Sequence, residues 1–266
     1  MWLYYTADVD RDVNVKVPGR VAAGSLDRGS GDSPRFSSSE KGLGAVLDVL
    51  DSLGIRGTLF FEGRTADVID CSRAAGHRLG IHGYDHEDLT ALDDVMLEAA
   101  LRSSYEAVLD AVGRPTCSRA PYMSADGRVL ERTAGVTGIR VDSSFYTDVG
   151  GPAHSYAVGR TQEFPVARSR DSSGRVIAAY LWPMHEGRRG PRDYVEMAAG
   201  VEGNLVIADH SWHMVETREG GVMSPEDAKL CAEQVRAVLE GIMDLGFEPS
   251  VLPGPPRVAS APFAHA

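Results

Sequence analysis

Two aspartates, Asp8 and Asp10, stand two residues apart at the end of an apolar run. In an extended chain such residues point to the same side, so both carboxylates face one spot. Two carboxylates that close do not both stay ionised without a cation beside them. His82 and His86 form a His-x-x-x-His pair, a spacing that sets both imidazoles on one side of a helix or tight turn. Two imidazoles and one carboxylate, with positions left open, suit a catalytic divalent metal. Arg119 shortly precedes Pro121-Tyr122. A guanidinium can fix the orientation of a carboxylate, and a proline-fixed backbone can aim the Tyr122 N–H at a developing oxyanion. His210, flanked by Asp209, has the chemistry of a proton donor to a leaving group. Trp212 and His213 stand near enough to line a ligand pocket. Each feature alone also has a structural reading: solvated loop acids, a chance histidine pair, a turn proline, a satisfied imidazole.

The elements that must position these residues give the set its meaning. Residues 2–7 read as a buried strand, 58–61 as a second and 77–82 as a third. Further strands are expected at 116–119, 138–142, 176–182, 204–208 and 247–252. Helices are expected over 39–53, with Ser39 as cap and Gly54 as stop, and over 63–75, 91–112, 124–134, 192–199 and 225–245. Residues 11–38 and 143–175 read as long irregular segments that shape a cleft. Strands alternating with helices predict a parallel α/β sheet or barrel in a single domain over 1–252, followed by a flexible tail, 253–266. In such folds ligands bind at the C-terminal ends of the strands. Asp8 and Asp10, His82 and His86, Arg119, Asp142 and His210 all fall at those ends, where a purely structural sheet needs no charges.

Composition narrows the function. The formal net charge of -11 disfavours a nucleic-acid partner. No apolar run reaches membrane-spanning length. The first residues lack a basic region and a long apolar stretch, so a cytoplasmic location is expected. Cys71, Cys117 and Cys231 are widely spaced and odd in number, which argues against a disulfide framework or zinc ribbon and for buried thiols.

Taken in order, the segments TADVD, HGYDH, RAPY, VDSS and IADH resemble the signatures of the polysaccharide deacetylase (NodB homology) family, carbohydrate esterase family 4. The stretch Gly57-Thr58-Leu59-Phe60-Phe61 is similar to a strand usual there, and the resemblance covers roughly residues 3–250. It implies a distorted (β/α) barrel of about seven parallel strands and a hydrolase that removes an acetyl group from an N-acetylated sugar or related small amide. It also implies roles. Asp10, His82 and His86 would hold one divalent metal, zinc first, with cobalt, nickel or iron suited to the same ligands. Asp8 would be the base that activates water, with Arg119 orienting it. Tyr122 would help hold the oxyanion, His210 would protonate the leaving amine, and Asp142 would tune His210. Three departures stand out: Asp8-Val9-Asp10 replaces an adjacent pair, Phe145 or Tyr146 stands where Trp is usual, and Ala208 where Leu is common. They keep open a cyclic ureide or imide hydrolase of allantoinase-like type, or a carbohydrate-binding protein without turnover.

Overall fold

In the stretch from Trp2 to Val9 every side chain but the first is buried, which a strand manages only when covered on both faces. The computed structural model describes residues 1–11, 13–17, 20–23, 36–218 and 220–253. Its main sheet has nine strands: β1 (Trp2–Val9), β2 (Thr58–Phe61), β3 (Arg78–Ile81), β4 (Cys117–Ser118), β5 (Val141–Asp142), β6 (Tyr156–Val158), β7 (Thr161–Glu163), β8 (Leu205–His210) and β9 (Glu248–Ser250). Their order is β8-β1-β2-β3-β4-β5-β7-β6, with β9 beside the first residues of β1. All pairings are parallel except β6 with β7. The result is one α/β domain built on a curled, mostly parallel sheet, the distorted barrel that the family resemblance implied.

Helices return the chain between parallel strands, so the C-terminal ends of the strands collect on one rim. The principal ones are α1 (Phe36–Leu53), α2 (Asp94–Ala111), α3 (Gly127–Thr137), α4 (Pro191–Ala199) and α5 (Pro225–Asp244). Asp93, Asp126 and Ser224 cap α2, α3 and α5 by accepting from Met96, Val129 and Asp227 N–H groups. Leu43, Val46, Leu47 and Leu50 form the buried face of α1. Gly42 lets this helix press against the chain just past β8: an added Cβ would meet the Ser211 carbonyl at 1.9 Å.

Several expectations need correcting. α1 begins at Phe36, and Ser39 lies inside it as a buried donor to the Asp10 carbonyl rather than as its cap. Within 11–38, Val13–Val17 and Arg20–Ala23 form an antiparallel pair; residues 12, 18–19 and 24–35 lie outside the described residues, as does the tail from residue 254. The segment 143–175 is not irregular: besides β6 and β7 it holds Tyr146–Val149 and Val166–Arg170, which pair in parallel. These strands are three to five residues long, too short to display a period, and glycines at positive φ (Gly150, Gly159, Gly174) punctuate them. The strand expected over 176–182 stops at Ala178, and Trp182–His185 turns helical at Pro183. The helix expected over 63–75 is one turn, Gly63–Ala66, and a 3₁₀ segment, Ser72–Gly76. Val95, near the start of α2, is 79% exposed. All three cysteines are free and buried. Among the described residues no helix is long and apolar enough to cross a membrane.

Candidate metal centre

β1 and β8 run in register with Asp8 opposite His210, which brings the base and acid expected from the sequence to neighbouring strand ends. Asp10 follows in the turn beyond β1. His86 Nε2 lies 3.1 Å from Asp10 Oδ2, His210 Nε2 at 3.7 Å and His82 Nε2 at 4.0 Å. One donor atom each from Asp10, His82 and His86 lies within 4.8 Å of the others, and all three residues are buried.

The His82 tautomer follows from one contact. Its Nδ1 sits 2.9 Å from the Arg119 carbonyl, which can only accept, so Nδ1 carries the proton and Nε2 the lone pair. That Nε2 is buried without a hydrogen-bond partner and faces Asp8 Oδ2 at 3.9 Å. A buried acceptor with nothing to accept is costly, and a cation between it and Asp10 relieves the cost. Burial lowers the pKa of His82 and takes that of His86 to about 4. Both rings are therefore neutral near pH 7, the form that ligates a metal. The donor set fits a divalent cation.

Asp8 is held apart from this set by Arg119. Burial alone would raise its carboxyl, but Arg119, His82 and His210 outweigh burial and hold it below the usual range. Arg119 Nη1 donates to Asp8 Oδ1 at 3.0 Å. The guanidinium is itself fixed by the Ser143 carbonyl at 2.8 Å, by Ser143 Oγ at 2.9 Å and by the Phe60 ring below it. Ser144 Oγ accepts from the Ala120 N–H at 2.8 Å, so the VDSS segment anchors the RAPY turn. The sequence reading missed this use of Ser143 and Ser144, although both sit at a strand end.

Two loops carry the ligands, and a buried ion network joins them. Arg11, next to Asp10, donates through Nε to Glu62 Oε1 at 2.8 Å and through Nη2 to Asp85 Oδ1 at 2.7 Å. Asp85 lies between the two histidines, and Glu62 follows β2. Neither Arg11 nor Glu62 was singled out by sequence; a charge directly after an apolar strand is the signal that could have found Glu62. Gly83 completes the loop at φ 67°, where an added Cβ would come within 2.8 Å of Glu87 Oε2 and 2.9 Å of Pro121 Cγ. His86 and Tyr122 also take positive φ, 53° and 60°, a conformation that costs a non-glycine residue about 1–2 kcal/mol. Strain of this kind collects at functional sites.

A cavity of about 240 Å³ opens over the centre, walled by Asp8, His82, His86, Tyr122, Tyr146 and Tyr180, among others. The Tyr122 ring packs edge-on against His86, 4.6 Å between centroids. The Tyr180 hydroxyl is 2.6 Å from His210 Nδ1. Burial lowers His210 well below an ordinary imidazole. Trp182 lines the cavity, whereas Trp212 and His213 pack behind it against one another at 3.6 Å. The expected partnership of Asp142 with His210 is absent from the contacts of the described residues. Asp142 accepts from Ser118 Oγ at 2.6 Å and pairs with Glu163, burial raising both carboxyls so that the two share a proton. Four strands, β4, β3, β2 and β1, stand between β5 and β8, and Tyr180 fills the role of neighbour to His210 instead.

A family model for polysaccharide deacetylase matches residues 15–139, a stretch containing His82, His86, Arg119 and Tyr122. The chain is similar to a chitin deacetylase of Pestalotiopsis sp, 29% identical over 113 residues that make up 40% of this chain and 36% of that one. It is also similar to a chitin deacetylase of Colletotrichum lindemuthianum, 34% identical over 91 residues, 30% of this chain and 37% of the other. The match thus spans little more than a third of these relatives. Among solved structures, a Mycobacterium smegmatis protein assigned to the polysaccharide deacetylases superposes with a TM-score of 0.54 at 20% identity, covering 95% of this chain and 93% of that one. A family 4 carbohydrate esterase from Streptomyces lividans in complex with acetate gives 0.50 at 15% identity over 90% and 88%. A family 4 pseudoenzyme from Bacillus anthracis gives 0.53 at 11% identity over 94% and 63%. At these identities the likeness concerns the fold, which active and inactive proteins share.

Proposed function

Because the chain belongs to the polysaccharide deacetylase family, we propose that it is a divalent-metal hydrolase that removes the acetyl group from an N-acetylated sugar. The observation that carries this reading is the lone pair of His82 Nε2, buried without a hydrogen bond, facing Asp8 and Asp10. Asp10, His82 and His86 would hold the ion, with zinc the first choice for two imidazoles and a carboxylate. When bound, the ion supplies Lewis acidity, which acidifies water and polarises an amide carbonyl.

The chain's own groups do the rest. Asp8, kept ionised by Arg119, takes the proton of the attacking water. The Tyr122 N–H, set by the left-handed turn after Pro121, donates to the oxygen that gains charge. His210 rests neutral because it is buried. Negative charge building on the carbonyl oxygen raises the proton affinity of His210, so it takes up the proton that Asp8 removed from water and passes it to the departing amine. Tyr180 fixes the ring for that transfer. Asp142, paired with Glu163, acts only as part of the scaffold under Arg119.

Acetate release from N-acetylglucosamine oligomers tests the reading. Release is expected to stop with EDTA, return with zinc, and fall by about two to four orders of magnitude in Asp8→Asn. Release that survives both EDTA and Asp8→Asn overturns it. Ring opening of a cyclic imide without acetate from any N-acetyl sugar would transfer the scaffold to the ureide-hydrolase reading.

A further inference from the structure

Behind β8, on the far side of His210 from the metal centre, lies a second set of chemical groups that the deacetylase reading leaves unused. His185, at the end of the helical turn Trp182–His185, has its Nε2 2.8 Å from Asp209 Oδ1 and its Nδ1 3.0 Å from Cys231 Sγ. The Asp209 carboxylate is held in turn by the Tyr5 hydroxyl at 3.0 Å and the His210 N–H at 2.8 Å. Thiol, imidazole and carboxylate therefore stand in line, each in hydrogen-bond contact with the next, which is the arrangement that activates a sulfur nucleophile.

This line ends in open space. Cys231, on α5, and His185 form part of the wall of a cavity of about 350 Å³, separate from the one over the metal centre. Val222 and Leu230, also in its wall, are 71% and 53% exposed, so the cavity opens to solvent beside the thiol. The other two cysteines differ: burial pushes the Cys71 and Cys117 thiols to about 12, and neither has an imidazole partner among the hydrogen bonds of the described residues.

We propose that Cys231, His185 and Asp209 form a thiol-modification site that takes small disulfides through this second cavity. The Cys231 proton is held on His185 Nδ1 as an imidazolium–thiolate pair, and the Nε2–H donates to the Asp209 carboxylate. The thiolate attacks one sulfur of the incoming disulfide; a new S–S bond forms as the old one breaks. The departing sulfur leaves with the electron pair and takes the proton from His185. Cys231 is oxidised, the departing thiol is reduced, and the disulfide is the only other reactant.

The test uses the intact protein and 4,4′-dithiodipyridine, whose thiopyridone product is read by absorbance. About one equivalent is expected to react before unfolding, with the adduct found by peptide mapping on Cys231. His185→Gln, its fold checked by circular dichroism, is expected to slow that reaction about tenfold, since only a few per cent of an unassisted thiol is ionised at neutral pH and the more basic thiolate recovers part of the loss. Cys231→Ser is expected to abolish it. The proposal is overturned if native protein does not react, if the adduct maps to Cys71 or Cys117, or if His185→Gln reacts as fast as the parent. The mapping needs no variant, so it decides the matter even where a substitution prevents folding.

Discussion

Replacing Arg11 with methionine tests whether the two ligand loops are held together by a buried charge. The Arg11 and Glu62 side chains are 2% and 0% exposed. Removing the guanidinium strands the Glu62 carboxylate, which among the described residues keeps the Thr65 hydroxyl and the long contact from the residue 11 N–H at 3.3 Å. Asp85 suffers less, because Arg64 still reaches it at 2.8 Å and it is 25% exposed. Breaking a buried pair on one side costs about 3–5 kcal/mol, and the stranded Glu62 points to the middle of that range. For a chain of this size that corresponds to a fall in Tm of roughly 8–16 °C. Glu62→Gln should cost less, since its amide oxygen still accepts from Arg11, which retains Asp85. The double variant Arg11→Met, Glu62→Leu should regain most of the loss, because no uncompensated charge remains. Scanning calorimetry on the metal-free forms reads all three. A melting point for Arg11→Met within about 2 °C of the parent, the range of an ordinary surface change, would refute the reasoning.

Two further outcomes follow from the same geometry. Gly83→Ala, with its Cβ forced against Glu87 and Pro121 at positive φ, should weaken metal binding about tenfold or more, read by zinc titration; unchanged affinity would show that the loop adapts. Burial alone would lower His185, but Asp209 and the Cys231 sulfur outweigh it and raise the imidazole to about 10. The folded state therefore binds that proton more tightly than the unfolded one, whose value is about 6.5. The resulting stability is complete below about pH 6.5 and is lost as pH rises through about 10. Urea midpoints should decline over that window in the parent more steeply than in His185→Gln; parallel declines would contradict the assignment.

What the sequence revealed depended on how local each signal was. The strand ends were readable because buried parallel strands are apolar throughout, so Asp8, Asp10, His82, Arg119 and His210 stand out as polar residues that end an apolar run. The same feature located Asp142, but chemical type could not say which neighbour it faces. That depends on the order of strands, which sets β5 beside β4 and β7, where Glu163 meets it. Ser39 looked like a helix cap because a serine before an apolar period usually is one; its hydroxyl instead satisfies the Asp10 carbonyl. Tyr180 and Arg11 act through partners 30 and 51 residues away, and no spacing rule connects them. The short strands between 146 and 170 owe their pairing to neighbours rather than to pattern.

The central claim is that Asp10, His82 and His86 hold a divalent cation beside Asp8. Elemental analysis of protein purified without chelator measures this most directly. About one equivalent of a divalent metal per chain is expected, zinc foremost, falling to background in folded Asp10→Ala and His82→Ala. A parent protein that neither carries nor takes up such a metal, or variants that retain the full equivalent, would contradict it.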